Sequence, residues 1–199
     1  MPEKEFLSDV VVFERWRRAV EEAVFTHRVL PSQIFSLEFE RFFFEEFDWA
    51  MSKEFWTCIS RMARCCGDRS CLIAVLEPDP SKYYKDEFGF YSWAELDVAC
   101  TPDDYWRIIS AAPDCGSAAD SIVANANRAV WTAKSGAWAV YGERSAGICV
   151  FGSKEREWCA GSWKPKSRCE VAEIITASLG VGQEMFVNEL LERYARGLS

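Results

Sequence analysis

The stretch that most constrains this chain is Cys71-Leu72-Ile73-Ala74-Val75-Leu76, six apolar residues with no polar position among them. A continuous apolar run of this length, rich in aliphatic residues and bounded by breakers, predicts a buried strand at the centre of a sheet. Pro78-Asp79-Pro80 stops it sharply, because proline brings no N–H to a ladder.

The neighbouring segments supply partners for such a strand. Ala137 to Tyr141 and Ile148 to Phe151 predict a β-hairpin around Glu143-Arg144-Ser145-Ala146-Gly147. Ile34, Phe35, Leu37, Phe39 and Phe42 partly alternate with Glu38, Glu40 and Arg41, which predicts a strand with one wet face. The period is lost at Phe42-Phe43-Phe44.

Helical spacing marks the rest. After an N-cap at Ser8-Asp9, the residues Val12, Phe13, Trp16, Val20, Ala23 and Val24 recur on one face, and Pro31 ends that unit. From Ser52, the positions Phe55, Trp56, Ile59, Met62, Ala63 and Cys66 repeat the pattern, with Gly67 to close it. Thr101-Pro102-Asp103-Asp104 combines a capping hydroxyl, a first-turn proline and two acids at the positive end of a helix dipole. Ser117-Ala118-Ala119-Asp120 resembles a capping box and predicts a helix through Ile122, Val123, Ala126, Ala129 and Val130 to Ser135-Gly136. Ser81 to Trp93 reads as a long loop or irregular hairpin, and residues 155–169, punctuated by Trp158, Trp163 and Pro165, as irregular. Ala172 to Leu179 is helical and is broken by Gly180-Val181-Gly182. The last helix puts Met185, Phe186, Leu190, Leu191 and Tyr194 on its apolar side.

With no repeat and no long linker, residues 1–199 predict one α+β domain. It should hold a small antiparallel or mixed sheet packed with about five to six helices.

Charge and cysteine usage narrow the function. The formal charge is −8, which excludes a role resting on phosphate contacts by Lys and Arg and fits an acidic surface steering onto a basic protein. Nine cysteines are an odd number, and several sit in apolar stretches. Met1-Pro2-Glu3-Lys4-Glu5 is charged and no apolar signal region follows. The expectation is free thiols in a reducing cytoplasm, with no membrane span because no apolar run approaches about 20 residues.

Catalytic and cofactor motifs fail one by one. His27 is the single histidine and falls near a helix end, which removes most triad chemistry. No C-x2-C pair exists; Cys58, Cys65, Cys66 and Cys71 are the nearest zinc-like cluster. Gly147 to Lys154 has the wrong residue order for a phosphate loop, and Ile148 to Phe151 commits its amides to a strand. No cofactor and no metal are expected, and no catalytic residue is named.

What remains is a mixture of acids and rings. Between Leu37 and Trp56, eight aromatic residues interleave with Glu38, Glu40, Glu45, Glu46, Asp48 and Glu54. Not all of those rings can face one core, and rings surrounded by acids suit an interface for a basic partner. Tyr83-Tyr84-Lys85-Asp86-Glu87-Phe88 has the same character. The predicted contact residues are therefore Glu38, Glu40, Glu45, Glu46, Asp48, Trp49, Tyr83, Tyr84, Asp86 and Glu87. The expected role is stoichiometric binding of a basic protein, in concrete form a cytosolic bacterial immunity protein occluding a toxin or effector domain. A homo-oligomer is compatible with it. The alternatives are a carboxylate-dependent hydrolase or transferase, or a structural subunit of a larger assembly.

Overall fold

Side chains alternate across a β-strand, so a strand that is apolar at every position needs cover on both of its faces. The computed structural model, which describes residues 6–154 and 166–194, has that arrangement. Strands β1 (Arg41–Glu46), β2 (Ser70–Glu77), β3 (Trp93–Asp97), β4 (Arg128–Ala133), β5 (Trp138–Glu143) and β6 (Ile148–Ser153) form one antiparallel sheet ordered β1-β6-β5-β4-β2-β3. Among the described residues eight α-helices accompany it: α1 (Val10–Ala23), α2 (Phe47–Ala50), α3 (Lys53–Cys65), α4 (Tyr83–Phe88), α5 (Pro102–Ser110), α6 (Ile122–Asn125), α7 (Arg168–Leu179) and α8 (Glu184–Tyr194). Two of these, α2 and α6, are single turns of four residues.

The sheet separates two cores. Cys71, Ile73 and Val75 of β2 point, with Trp131, Val140 and Phe151, into one core closed by α3 and α5. Leu72 and Ala74 point, with Val130, Tyr141, Val150, Phe42 and Phe44, into another closed by α1, α7, α8 and the segment holding Ile34, Phe35 and Phe39. This resolves the aromatic surplus between Leu37 and Trp56. Phe42 and Phe44 fill the second core, Phe47, Phe55 and Trp56 fill the first, and all five are buried. The rings cannot face one core because there are two.

Several elements follow the sequence closely. Asp9 caps α1, its carboxylate accepting the Val11 and Val12 N–H groups. Thr101 and Asp104 form a reciprocal capping box on α5, an arrangement that contributes about 1 kcal/mol. Gly67 follows α3 at φ 76°, where a residue with a Cβ is strained. The β5–β6 hairpin turns over residues 144–147 as expected.

Four expectations need correction. Residues 34–40 are not a strand: β1 starts at Arg41, and only a single bridge, Val24 to Phe35, precedes it. The reason lies in β6, where Gly152 leaves room for the Phe35 and Phe39 rings, each only 2.9 Å from where a Cβ would stand. Those rings fold inward over the sheet instead of extending along it, and Leu37 is left 91% exposed. The helix predicted from Ser117 to Ser135 is a 3-10 turn (Ala118–Asp120), then α6, then β4. Its capping box is real, but Arg128–Ala133 pairs with both β2 and β5, and two ladders outweigh a helical period. Ser81 to Trp93 contains a helix, α4, ended by Gly89 at φ 78°. On α8 the buried side is Val187, Leu190, Leu191 and Tyr194, with Met185 turned out. Of the stretch 155–169, residues 155–165 lie outside the described ones, and Arg168 already belongs to α7.

Candidate interaction site

At one end of the sheet β1 runs directly into α2 while β5 turns into β6. Phe47, the first residue of α2, drops beneath Gly142, where a Cβ would lie 2.9 Å from its ring and 2.8 Å from Cys149 Sγ. Burying Phe47 leaves its neighbours Glu46 and Asp48 facing outward. Arg144 covers the Phe47 ring at 4.8 Å and donates to the Ala126 and Val123 carbonyls at 2.8 and 2.7 Å. Gly147, at φ 67°, lets the last turn of α7 approach closely: a Cβ there would stand 1.9 Å from Ser178 Oγ.

Between these parts opens a groove of about 690 Å³. From α7 it takes Glu170, Glu173, Ile174 and Ala177, the i, i+3, i+4 and i+7 positions of one helical stripe. Glu46 and Asp48 form the opposite wall. Its two cations among the described residues are already engaged. Arg144 is held as described, and Lys166 sits 3.1 Å from Glu45 in a half-buried pair. The hydrogen bond to Glu45 pushes the Lys166 ammonium above its ordinary range, with Glu46 and Glu170 acting the same way. Glu170 also accepts the Ser167 N–H at 2.7 Å, which holds its carboxyl below the ordinary range. Among the described residues that line the groove, four carboxylates face two cations.

A second groove of about 650 Å³ is lined by Gln33, Leu37, Phe39, Glu40, Glu189 and Glu192, among others. Glu38 lies near it but is held by Lys154 at 2.6 Å, and that hydrogen bond lowers its pKa. Trp49 is half-buried and packs edge-on against Phe55 at 5.3 Å.

The other predicted cluster lies elsewhere. Tyr83 and Tyr84 of α4 both reach Asp120 ahead of β4, through its carboxylate (2.6 Å) and its carbonyl (2.7 Å). Tyr84 is buried, which pushes its hydroxyl up to about 12, and it offers no surface to a partner. Tyr83, Asp86 and Glu87 are exposed. Strands β1 and β4 are three steps apart in the sheet, roughly 14 Å at about 4.8 Å per step. The ten predicted residues therefore do not converge on one surface.

The groups best placed for chemistry are used in holding the chain together. Glu143, buried at the end of β5, accepts the Leu30 N–H (3.0 Å), the Tyr141 hydroxyl (3.1 Å) and the Ser145 hydroxyl (3.1 Å). Arg128 beside it donates to Glu77 at 2.7 Å and to the carbonyls of Thr26 and Arg28. Together they clamp the segment after α1 to the sheet. Burial, then the Glu143 charge, pushes the Tyr141 hydroxyl up. His27 is exposed. Burial likewise raises the Cys71 and Cys149 thiols, which keeps them in the unreactive neutral form. Among the described residues no three His, Cys, Asp or Glu side chains are grouped to hold a metal, and no helix is long and apolar enough to cross a membrane.

Sequence reasoning named Glu46 and Asp48, which line this groove, and Glu45, which pairs with its Lys166, but did not name Glu170, Glu173 or Arg144. The α7 acids were within reach, since Ser167-Arg168-Cys169-Glu170 is a capping box that fixes the phase of the helix. Arg144 was not, because its role depends on a carbonyl pair 18 and 21 residues upstream. Protein-family models, curated protein sequences and solved structures were each compared with this chain, and none matches it.

Proposed function

We propose that this chain is a stoichiometric inhibitor that docks a basic protein against the acidic end of its sheet. In its concrete form it is a cytosolic bacterial immunity protein that covers the active site of a toxin or effector domain. One observation carries the reading: among the described residues, Glu46, Asp48, Glu170 and Glu173 line one open groove whose two cations, Arg144 and Lys166, are already engaged. Uncompensated carboxylates around a concave surface raise the association rate of a cationic partner and disfavour anionic ones. Inhibition by occlusion needs no catalytic group of its own, only affinity and position.

The test is isolation of the full chain with its partner from the producing cells, at low and at raised salt. The reading requires a 1:1 complex with a basic protein, weakened by salt, in which the partner's activity is blocked. E45Q/E46Q/D48N should weaken that complex and flatten its salt dependence. Unchanged binding by this variant overturns the placement of the interface, and an acidic partner overturns the reading itself.

A further inference from the structure

Nine large hydrophobic residues are exposed among the described ones, and three of them fall within seven positions at the α7–α8 turn. Leu179 is 37% exposed, Val181 89% and Met185 74%. Single exposed hydrophobics are ordinary, but three at one turn call for a physical cause. Folding does not provide it. The helices bury Val171 and Ile175 on one side and Val187, Leu190, Leu191 and Tyr194 on the other, leaving these three outside the core.

The turn is built for display. Gly180 and Gly182 have φ of 85° and 87°, and a Cβ on either would meet nothing within 4 Å. Both glycines are therefore present for their backbone conformation rather than for space, and between them they hold Val181 away from the protein. The turn is also fixed in position. Ser178, one residue before Leu179, is seated against Gly147 of the β5–β6 turn, and Ala177 and Ser178 form part of the wall of the acidic groove. The turn begins one residue beyond Ser178, where the wall of the groove ends.

We infer that Leu179, Val181 and Met185 are the apolar anchor of the interface, seating in an apolar recess of a basic protein whose positive rim meets Glu46, Asp48 and Glu173. The inference rests on the basic-partner reading above and adds the group that supplies affinity. Charge selects this occupant. A second copy would bring the same acidic groove against itself, in a chain of net charge −8, and an anionic membrane surface would meet the same repulsion. Aliphatic and Met side chains entering a pocket supply binding energy that salt does not screen, while the acids beside them govern encounter.

The experiment places the photocrosslinker p-benzoyl-phenylalanine at position 181, at position 48, or at the remote exposed position 61, in the full chain in its producing cells. The partner recovered is then purified and titrated against the wild type, against L179S/V181S/M185S and against E46Q/D48N/E173Q. The expected result is the same basic polypeptide crosslinked from 181 and from 48 but not from 61. The turn variant should bind it about 100-fold more weakly with an unchanged salt slope, and the groove variant should lose salt dependence. Circular dichroism should show both variants folded. A crosslink from 48 but not 181, or wild-type affinity in the turn variant, overturns the anchor and leaves the reading above standing. Crosslinks from 181 at the mass of a self-dimer, or co-sedimentation of the wild type but not the turn variant with phosphatidylglycerol-containing vesicles, overturn the choice of occupant. No crosslink from either position overturns both proposals.

Discussion

At the β3 edge of the sheet the chain closes the ladder with its own N-terminal segment. The Leu7 N–H donates to the Trp93 carbonyl and the Tyr91 N–H to the Leu7 carbonyl, both at 2.8 Å, while Phe6 bridges Ala94. Phe13 of α1 stacks on Tyr91 at 3.6 Å and leans on Trp93 at 4.7 Å. Glu95 takes three donors: Trp16 Nε1 (2.8 Å), the Ser70 hydroxyl (2.6 Å) and Lys134 (3.1 Å). The β1 edge is finished with charge instead. The Phe47 N–H donates to the Gly147 carbonyl, so by antiparallel alternation residues 41, 43 and 45 pair with β6. Phe42, Phe44 and Glu46 then turn their backbone groups away from β6, and the Glu46 N–H is taken by the Glu45 carboxylate at 3.1 Å. Acidic grooves lie beside this strand. Covering an edge and charging it both prevent unwanted strand pairing. Among the described residues, the charged edge presents carboxylates that a partner of opposite sign can reach.

The largest effect should come from unsealing the covered edge. Phe13 is buried between Tyr91 and Trp93, so Phe13→Ala should cost about 3–5 kcal/mol, read as a lower urea midpoint with an unchanged m-value. A cost below about 1 kcal/mol would mean that the β3 edge does not depend on α1.

Gly147→Ala attacks the other side with a smaller effect. The new Cβ would collide with Ser178 Oγ from a backbone at φ 67°, and overpacking of this kind typically costs about 1–3 kcal/mol. Adding Ser178→Gly should restore the steric share and leave roughly 1–2 kcal/mol of left-handed strain. If the second change restored nothing, α7 would not be seated on this turn.

The covered edge also carries a pH response. The hydrogen bonds that Glu95 accepts, from Ser70 first and then Trp16 and Lys134, outweigh its burial and hold its pKa below the ordinary value of 4.5. A carboxylate depressed in the folded state adds stability that is fully present above the unfolded pKa and is lost as pH falls through the folded one. Glu95→Gln should therefore lower stability at neutral pH and make the fall below about pH 4.5 shallower. Chemical denaturation at pH 7 and at pH 3 measures both, and parallel losses at the two values would remove Glu95 from the acid response.

The covered edge and the charged edge were not equally legible in the sequence. Capping residues and helical periods placed α1, α3 and α5, because those signals act within one or two turns. Two apolar segments around a turn at residues 143–147 also marked β5 and β6 as a hairpin. Sequence period failed at β4, where Ala129 and Val130 fit either period and only pairing with β2 and β5 decides. It failed again at Phe35 and Phe39, whose inward turn depends on the absent side chain of Gly152, more than 100 residues away. At the candidate site, Glu46 and Asp48 could be found because they flank a ring that had to be buried. Their convergence with Glu170 and Glu173 could not, because it depends on α7 crossing β1, a contact between elements more than 120 residues apart in sequence.

The smallest effect is the one that separates docking from folding. Glu46 and Asp48 are exposed, and the local hydrogen bond at Glu46 is made by its backbone N–H, which donates to the Glu45 carboxylate, and not by its side chain. Replacing them by Gln and Asn keeps the shape and removes two like charges facing Glu170 and Glu173 across the groove. Stability should therefore change by no more than about 0.5 kcal/mol. Its direction should be upward, since the repulsion removed exceeds any pairing lost. Salt at about 1 M, where the screening length is roughly 3 Å, should erase even that gain by relieving the same repulsion in the wild type. A loss above about 1 kcal/mol that salt did not alter would place these carboxylates among the supports of the fold. The charged edge would then differ from the covered one only in the kind of contact that holds it.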